Sequence, residues 1–212
     1  MSVECAWAHA IVAPRRSPGV KFHLCLHPAG DMLSPAMFAS QGCHEHELVS
    51  WMLTMLRRHH RAALVDIGAH VGTFTMAAAA AGYPVHAYEP APHSAMRLRT
   101  SLRANGFEDH VVVFEACLGE QQGWAEVGVN ASNQGSLRHR PLPRLGVVEG
   151  SRASNGSAAA AHLYLRRRLL RPILRLDDQP RFPAAVAQKL FIKVRPASVV
   201  LWSCTSQPLA SV

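Results

Sequence analysis

The segment LVDIGAHVGTFT (64–75) has residue types and spacing that suit a nucleotide-binding turn. An apolar run ends at Asp66, and Gly68 and Gly72 bracket the turn that follows it. Glycines let the backbone approach a ligand closely, and the first turn of a helix has N–H groups without intrahelical partners. The segment therefore predicts a ligand site where a strand passes into a helix.

A second acidic residue, Glu89, lies 21 residues after Gly68 and closes another apolar run. A carboxylate in that place can accept hydrogen bonds from both hydroxyl groups of an adenosine ribose. The dinucleotide fingerprint G-x-G-x-x-G would also need glycines at positions 70 and 73, where this chain has His70 and Thr73. A nicotinamide-dependent reductase is therefore the weakest interpretation of the motif.

Alternating strand and helix patterns must position these residues. Such alternation predicts an α/β fold with an open, mostly parallel sheet, in which ligands bind at the carboxyl ends of the strands. The region 123–129 is predicted to add an antiparallel strand. The predicted strands are 20–28, 62–68, 83–90, 110–119, 171–178 and 190–194, and the predicted helices are 47–59, 71–82 and 94–106.

The ordered set of motifs resembles the FkbM-type methyltransferases, which belong to the S-adenosylmethionine-dependent enzymes of the seven-strand class. The set comprises LVDIGAHVGTFT, HAYEP and VVVFEACLG, with HEHELVSWM upstream and NQGS, RLDD and FIK downstream. The resemblance covers roughly Phe22 to Lys193. It implies a Rossmann-like sheet of the class I methyltransferase type, S-adenosyl-L-methionine as cofactor, and O-methylation of a small-molecule or sugar hydroxyl.

The resemblance implies cofactor-binding roles for residues that follow three successive strands. The first turn would hold the methionine part, the acid after the second strand the ribose, and the pair after the third strand the adenine. His70 stands where the family usually has asparagine. The implied residues are Asp66, Gly68, Ala69, His70, Gly72, Glu89, Ala116 and Cys117. The resemblance names no catalytic residue and implies no metal.

After Lys193 the chain departs from the family's pattern. The family's strand continues into an acidic turn, whereas this chain continues with Val194, Arg195 and Pro196 and has no acid after Asp178. We expect a sheet that is incomplete at its C-terminal side, impaired activity, and an unpaired side on the strand at 190–194. Residues 194–212 would be translated intron or an alternative exon. A non-catalytic protein derived from a methyltransferase, which binds the cofactor or acts through its basic surface, is the alternative.

The predicted organisation has three parts. Residues 1–61 would supply N-terminal strands and a lead-in helix, 62–193 the methyltransferase core, and 194–212 a tail foreign to the family. The net charge of +8 resides in one tract, since nine arginines and one acid lie between positions 138 and 175. This tract, at about 138–170, is interpreted as a flexible insertion. A basic stretch without aromatic stacking residues is weak evidence for nucleic-acid or membrane binding.

The five cysteines include no C-x-x-C pair, which favours reduced thiols in an intracellular protein. Cys43 with His44 and His46 is interpreted as a polar loop, because zinc sites draw four ligands from spaced pairs. A cytoplasmic location is expected, with an organelle transit peptide as the alternative because of the acid-poor start of the chain. The sequence assigns no oligomeric state, and the expected partner is a small-molecule methyl acceptor.

Overall fold

The structure is a computed structural model that describes residues 3–13, 18–28, 43, 45–59, 61–130, 133–141, 170–179, 189–194 and 198–203. The strands of these regions are β1 Ala6–Val12, β2 Val20–Leu26, β3 Ala62–Ile67, β4 Val85–Tyr88, β5 Val111–Phe114, β6 Cys117–Leu118, β7 Gly123–Asn130, β8 Asn133–Pro141, β9 Leu170–Leu174, β10 Lys189–Val194 and β11 Ser198–Ser203. The α-helices are α1 His46–Arg57, α2 Thr73–Ala80 and α3 Pro92–Asn105. Short 3-10 helices span Glu108–His110 and Leu176–Asp178.

A five-stranded sheet in the order β11-β10-β3-β4-β5 organises the molecule. Strands β10, β3, β4 and β5 run parallel to their neighbours, and β11 is antiparallel to β10. Strands β6, β9, β7 and β8 form a second sheet, and β1 pairs with β2 in a separate hairpin. The α/β class predicted from the sequence is confirmed at this level, as a mixed fold with parallel and antiparallel sheets.

Local signals set the ends of the helices. Gly82 and Gly106 have positive φ angles directly beyond α2 and α3, which is the usual role of glycine at a helix C-terminus. The predicted helices at 71–82 and 94–106 end at these two glycines. Helix α3 begins at Pro92, two residues before the predicted start, because proline is favoured in the first turn, where its missing N–H costs nothing.

One face of the parallel sheet carries the main core. Leu64 and Val85 point to this face and belong to one buried cluster with Met76 of α2 and Leu98 of α3. The hairpin of β1 and β2 closes the layer from outside, and Leu24 belongs to the same cluster. The opposite face has a smaller cluster around Val65 and Tyr88, with partly buried neighbours Ile67, Phe114, Leu118, Leu174 and Leu176.

Several predicted element boundaries were wrong. The strand expected at 110–119 is two strands in two sheets, because the chain leaves the parallel sheet after Phe114 and pairs again at Cys117–Leu118. Strands β8 and β11 were not predicted, and no predicted range covered β1. The ends of the supposed insertion are ordered as parts of β8 and β9, whereas its residues 142–169 lie outside the described residues.

The expected unpaired side of the strand at 190–194 was also wrong. Strand β10 pairs with β3 on one side and with β11 on the other, with Leu190 opposite Trp202. The segment SVVLWS is rich in β-branched and aromatic residues, which favour strands. At least 198–203 therefore belong to the sheet, and the proposed origin of residues 194–212 stays a prediction.

The expectation of reduced thiols was wrong for one pair of cysteines. Cys5 and Cys25 form a disulfide with a Cα–Cα distance of 4.9 Å. The antiparallel pairing of Ala6 with Leu26 brings the two together, and without a prediction of β1 this proximity was not visible. Disulfides are typical of oxidising compartments, so the bond does not support the cytoplasmic expectation, which stays a prediction. No helix in the described regions is long and apolar enough to cross a membrane.

Candidate functional site

The candidate site lies where the strand order of the parallel sheet reverses. From β3 the chain passes to β4 on one side, whereas the later strand β10 lies on the other side of β3. Ligands of open α/β sheets bind in the crevice at the carboxyl ends of the strands at such a point. Asp66 lies near the end of β3, Glu89 follows β4, and Ala116 follows β5. The predicted residues therefore share one edge of the sheet.

The turn after β3 has an unusual backbone. Gly68, His70 and Gly72 all have positive φ angles, of 73°, 54° and 99°. A positive φ is uncommon for a residue other than glycine, so His70 is held there by its surroundings. Helix α2 then begins at Thr73. The helix predicted at 71–82 therefore begins two residues later than expected.

Several backbone N–H groups of the turn form hydrogen bonds within the protein. The N–H groups of Gly68 and Ala69 both donate to the carbonyl oxygen of Tyr88, at 2.9 and 3.1 Å, and the N–H of Gly72 donates to the carbonyl of Ala69 at 2.9 Å. These three amides therefore have partners within the protein. The bonds of Gly68 and Ala69 hold the turn against the end of β4.

Glu89 is the residue that joins the two loops of the site. Its side chain is almost fully buried, with 3% exposed. One carboxylate oxygen accepts the N–H of His70 at 2.7 Å and the other accepts the N–H of Ala91 at 2.8 Å. The backbone N–H of Glu89 donates to the carbonyl of Phe114 at 2.9 Å. The carboxylate is thus fixed between the turn after β3 and the loop before α3.

Asp66 has a supporting role inside the fold. It is fully buried, and Thr75 of α2 donates its hydroxyl hydrogen to the Asp66 carboxylate at 2.7 Å. This bond ties the end of β3 to the first turn of the helix. Its geometry favours Asp66 as a residue that orients the turn, a role that the spacing of the motif alone did not separate from ligand contact.

Gly72 is needed for packing as well as for its backbone angle. A Cβ atom at this position would clash with Cδ1 of Leu98. Helix α3 therefore packs on the turn, and any side chain at position 72 would force the Leu98 side chain to shift. The absence of a side chain at Gly72 therefore lets α3 come close to the turn.

The side chain of His70 points toward a second histidine. Its ring stacks on that of His27, with centroids 5.6 Å apart and planes inclined by 27°. Both residues are buried, and His27 is within 3.4 Å of the hydroxyl of Ser94 at the start of α3. His70 therefore contributes its backbone N–H to the site, while its imidazole packs against His27.

The residues after β5 complete the edge. Ala116 is buried and Cys117 is half-buried. Burial raises the pKa of the Cys117 thiol, the nearby charge of Glu89 raises it further, and Arg171 opposes the shift. These effects place Cys117, Glu89 and Arg171 in one neighbourhood. A raised thiol pKa is the reverse of what a nucleophilic cysteine needs, so the structure favours packing for Cys117.

Arg171 is a residue of this edge that sequence reasoning missed, because it was counted with the basic tract. Its guanidinium donates from Nε to the carbonyl of Pro90 at 2.9 Å and lies 3.6 Å from the Glu115 carboxylate. Glu115 also pairs with Arg99 of α3 at 3.0 Å. The predicted strand at 171–178 already contained Arg171, and what the sequence did not reveal was its contact with Pro90 and Glu115.

Within the described residues, no group of three or more His, Cys, Asp or Glu side chains could hold a metal ion. Cys43, directly before the HEHEL segment, is buried, and burial raises its pKa to about 12.

No family model and no curated protein matched this chain.

Proposed function

We propose that this chain binds S-adenosyl-L-methionine and is a methyltransferase of the FkbM type. The observation that carries the proposal is the Glu89 carboxylate, which two backbone amides hold at the carboxyl end of the second parallel strand. Carboxylate oxygens are hydrogen-bond acceptors, and the two amides orient those of Glu89 toward the crevice where ribose hydroxyls would donate. The acid is orientated before any ligand arrives.

The strand order supports a Rossmann-like sheet. Strands β5, β4, β3 and β10 correspond to the order 3-2-1-4 of doubly wound dinucleotide and nucleotide folds. The turn that replaces the dinucleotide fingerprint contains His70 where that fingerprint has a glycine. This difference favours an adenosine cofactor with an amino-acid part over a pyrophosphate-linked one.

The described residues fit parts of such a cofactor. Glu89 would hold the ribose, and Ala116 and Cys117 would border the adenine. The turn from Gly68 to Gly72 would lie beside the methionine part, and Asp66 would orient the turn through its bond with Thr75. The bound cofactor would supply a sulfonium methyl group. What the protein contributes to transfer is mainly positioning and the exclusion of water.

The acceptor is proposed to be a hydroxyl of a small molecule. The motif order that resembles the family supports this class, and we assign no general base. A protein that binds the cofactor without transferring its methyl group would share the same site. Assay of methyl transfer separates these two possibilities once binding has been measured.

Calorimetric titration of the full chain with S-adenosylhomocysteine tests the proposal. Glu89→Ala should weaken binding by about 1.5–3 kcal/mol, the scale of hydrogen bonds to a charged group. Glu120→Ala, which removes an exposed acid, is the matched control and should leave the affinity unchanged.

A second ligand distinguishes ribose contact from a change in the turn. The 2′-deoxy analogue of S-adenosylhomocysteine should bind more weakly than the parent to the wild-type chain and equally to the Glu89→Ala variant. Absence of S-adenosylhomocysteine binding by the wild-type chain, or tighter binding of NAD, would overturn the proposal.

A further inference from the structure

Two histidines face each other on the outer surface of the N-terminal hairpin. His9 of β1 and His23 of β2 are directly opposite in the antiparallel register, and both are exposed. Their ring centroids are 4.4 Å apart with planes inclined by 81°. This pair lies outside the candidate cofactor site and belongs to a different sheet.

The backbone of β2 shows which kind of cross-strand pair this is. The N–H of His23 donates to the Asn105 side chain at 2.9 Å, and the Asn105 amide donates to the carbonyl of His23 at 2.9 Å. Both backbone groups of His23 therefore point away from β1. His9 and His23 form a non-hydrogen-bonded pair, the type in which opposite side chains come closest.

Hydrogen bonds and a disulfide hold the strands that carry the two histidines. Asn105 of α3 anchors the backbone of β2 at His23, and Ser101 of α3 accepts the N–H of Cys25 at 2.9 Å. The Cys5–Cys25 disulfide joins the two strands two residues further along. Ligands on strands that are braced in this way lose little freedom when they bind an ion.

Neutral imidazole is a favoured ligand of Zn²⁺, Cu²⁺ and Ni²⁺. Metal–nitrogen bonds of about 2.0–2.1 Å place two nitrogens on one ion roughly 3 Å apart. Rings that already contact each other can reach this spacing by rotation about their side-chain bonds. Lys21 is the charged residue on the same exposed face, opposite Ile11, and its flexible ammonium can remain in solvent.

We propose that His9 and His23 together bind one divalent transition-metal ion through their two imidazoles. The site leaves the other coordination positions open to water or to an external ligand. It is independent of the proposed cofactor site, and each can fail without the other. Affinity should follow the general order for nitrogen sites, with Cu²⁺ bound more tightly than Ni²⁺ and Ni²⁺ more tightly than Co²⁺.

The test is calorimetric titration of Ni²⁺ into the untagged full chain, without thiol reductant so that the disulfide remains. His9→Phe and His23→Phe keep an aromatic ring in the cross-strand contact but remove the ligand atom. Each should weaken binding by at least about tenfold, since even an outer partner of a metal ligand is worth that much. His110→Ala, which removes an exposed histidine of a 3-10 helix, should have no effect.

A further readout makes the outcome decisive. Circular dichroism should show that both phenylalanine variants stay folded, because the substituted side chains are exposed. If Ni²⁺ fails to bind, or if a folded phenylalanine variant binds it as the wild type does, the pair is only a ring contact and the proposal is wrong.

Discussion

The two faces of the parallel sheet are covered in different ways. Helices α2 and α3, backed by the β1–β2 hairpin, cover one face and bury nearly all of its side chains. Among the residues whose burial is described, the buried members of the cluster on the other face are Val65 and Tyr88, and partly buried residues surround them. Adjacent residues of β5 show the contrast, since Val111 is 8% exposed and Val112 is 50% exposed.

The difference shows how the candidate site is supported. The turn after β3 is tied to the helix-covered face, by the Thr75–Asp66 bond and by the contact between Gly72 and Leu98. The position of Cys117 instead depends on the pairing of β6 with β9, which lies far away in the sequence. We therefore expect most of the stability to reside on the helix-covered face. The other face should tolerate substitution better.

Matched leucine truncations on the two faces should differ most. Leu98→Ala removes a fully buried side chain and should destabilise the protein by about 2–5 kcal/mol. Leu174→Ala on the other face removes a half-buried one and should cost about 1 kcal/mol. Free energies of unfolding from chemical denaturation measure both. Equal losses would remove the contrast between the faces.

A pair of glycine substitutions should give the next largest difference. Gly72→Ala adds a Cβ atom that clashes with the end of the Leu98 side chain, at a φ of 99°, so strain and overpacking together should cost about 2–4 kcal/mol. Gly82→Ala has a similar φ of 84° with open space around it, and should cost about 1 kcal/mol. If the two variants unfold at the same denaturant concentration, the contact between α3 and the turn is not tight.

Tyr88→Phe should have the smallest effect and the opposite sign. The Tyr88 hydroxyl is buried with no hydrogen-bond partner among the described residues, and removing such a group should stabilise the protein by about 1 kcal/mol. Tyr83→Phe, at a half-buried tyrosine, should change stability little. A destabilised Tyr88→Phe variant would mean that the hydroxyl has a favourable contact.

The same tyrosine predicts a pH dependence. Burial raises the pKa of Tyr88 from 10.0 to about 12, so the folded state keeps its proton after the unfolded state has lost it. Tyr88 therefore has no pH-dependent effect on stability below about pH 10, and the free energy of unfolding falls as the pH rises from 10 toward about 12. Denaturation at several alkaline pH values should show a shallower loss in Tyr88→Phe than in the wild type.

Local sequence patterns predicted much of the helix-covered face. The predicted elements that the structure contains include the strand at 62–67, the strand before Glu89, and the two helices that end near Gly82 and Gly106. Each depends on nearest neighbours along the chain, namely on side-chain periodicity and on the backbone angles that glycine permits. The motif also placed Asp66 and Glu89 at the same edge of the sheet, because parallel strands end together.

The sequence by itself thus determined which segments become the parallel strands and helices and where the acidic residues follow them. Only the tertiary structure decided that Cys5 joins Cys25, that β11 covers β10, and that Arg171 reaches Pro90. It also decided that the amides of the turn bond to Tyr88 and Glu89. These are choices of partner between distant segments, and they depend on the packing of the whole chain, which no local pattern encodes.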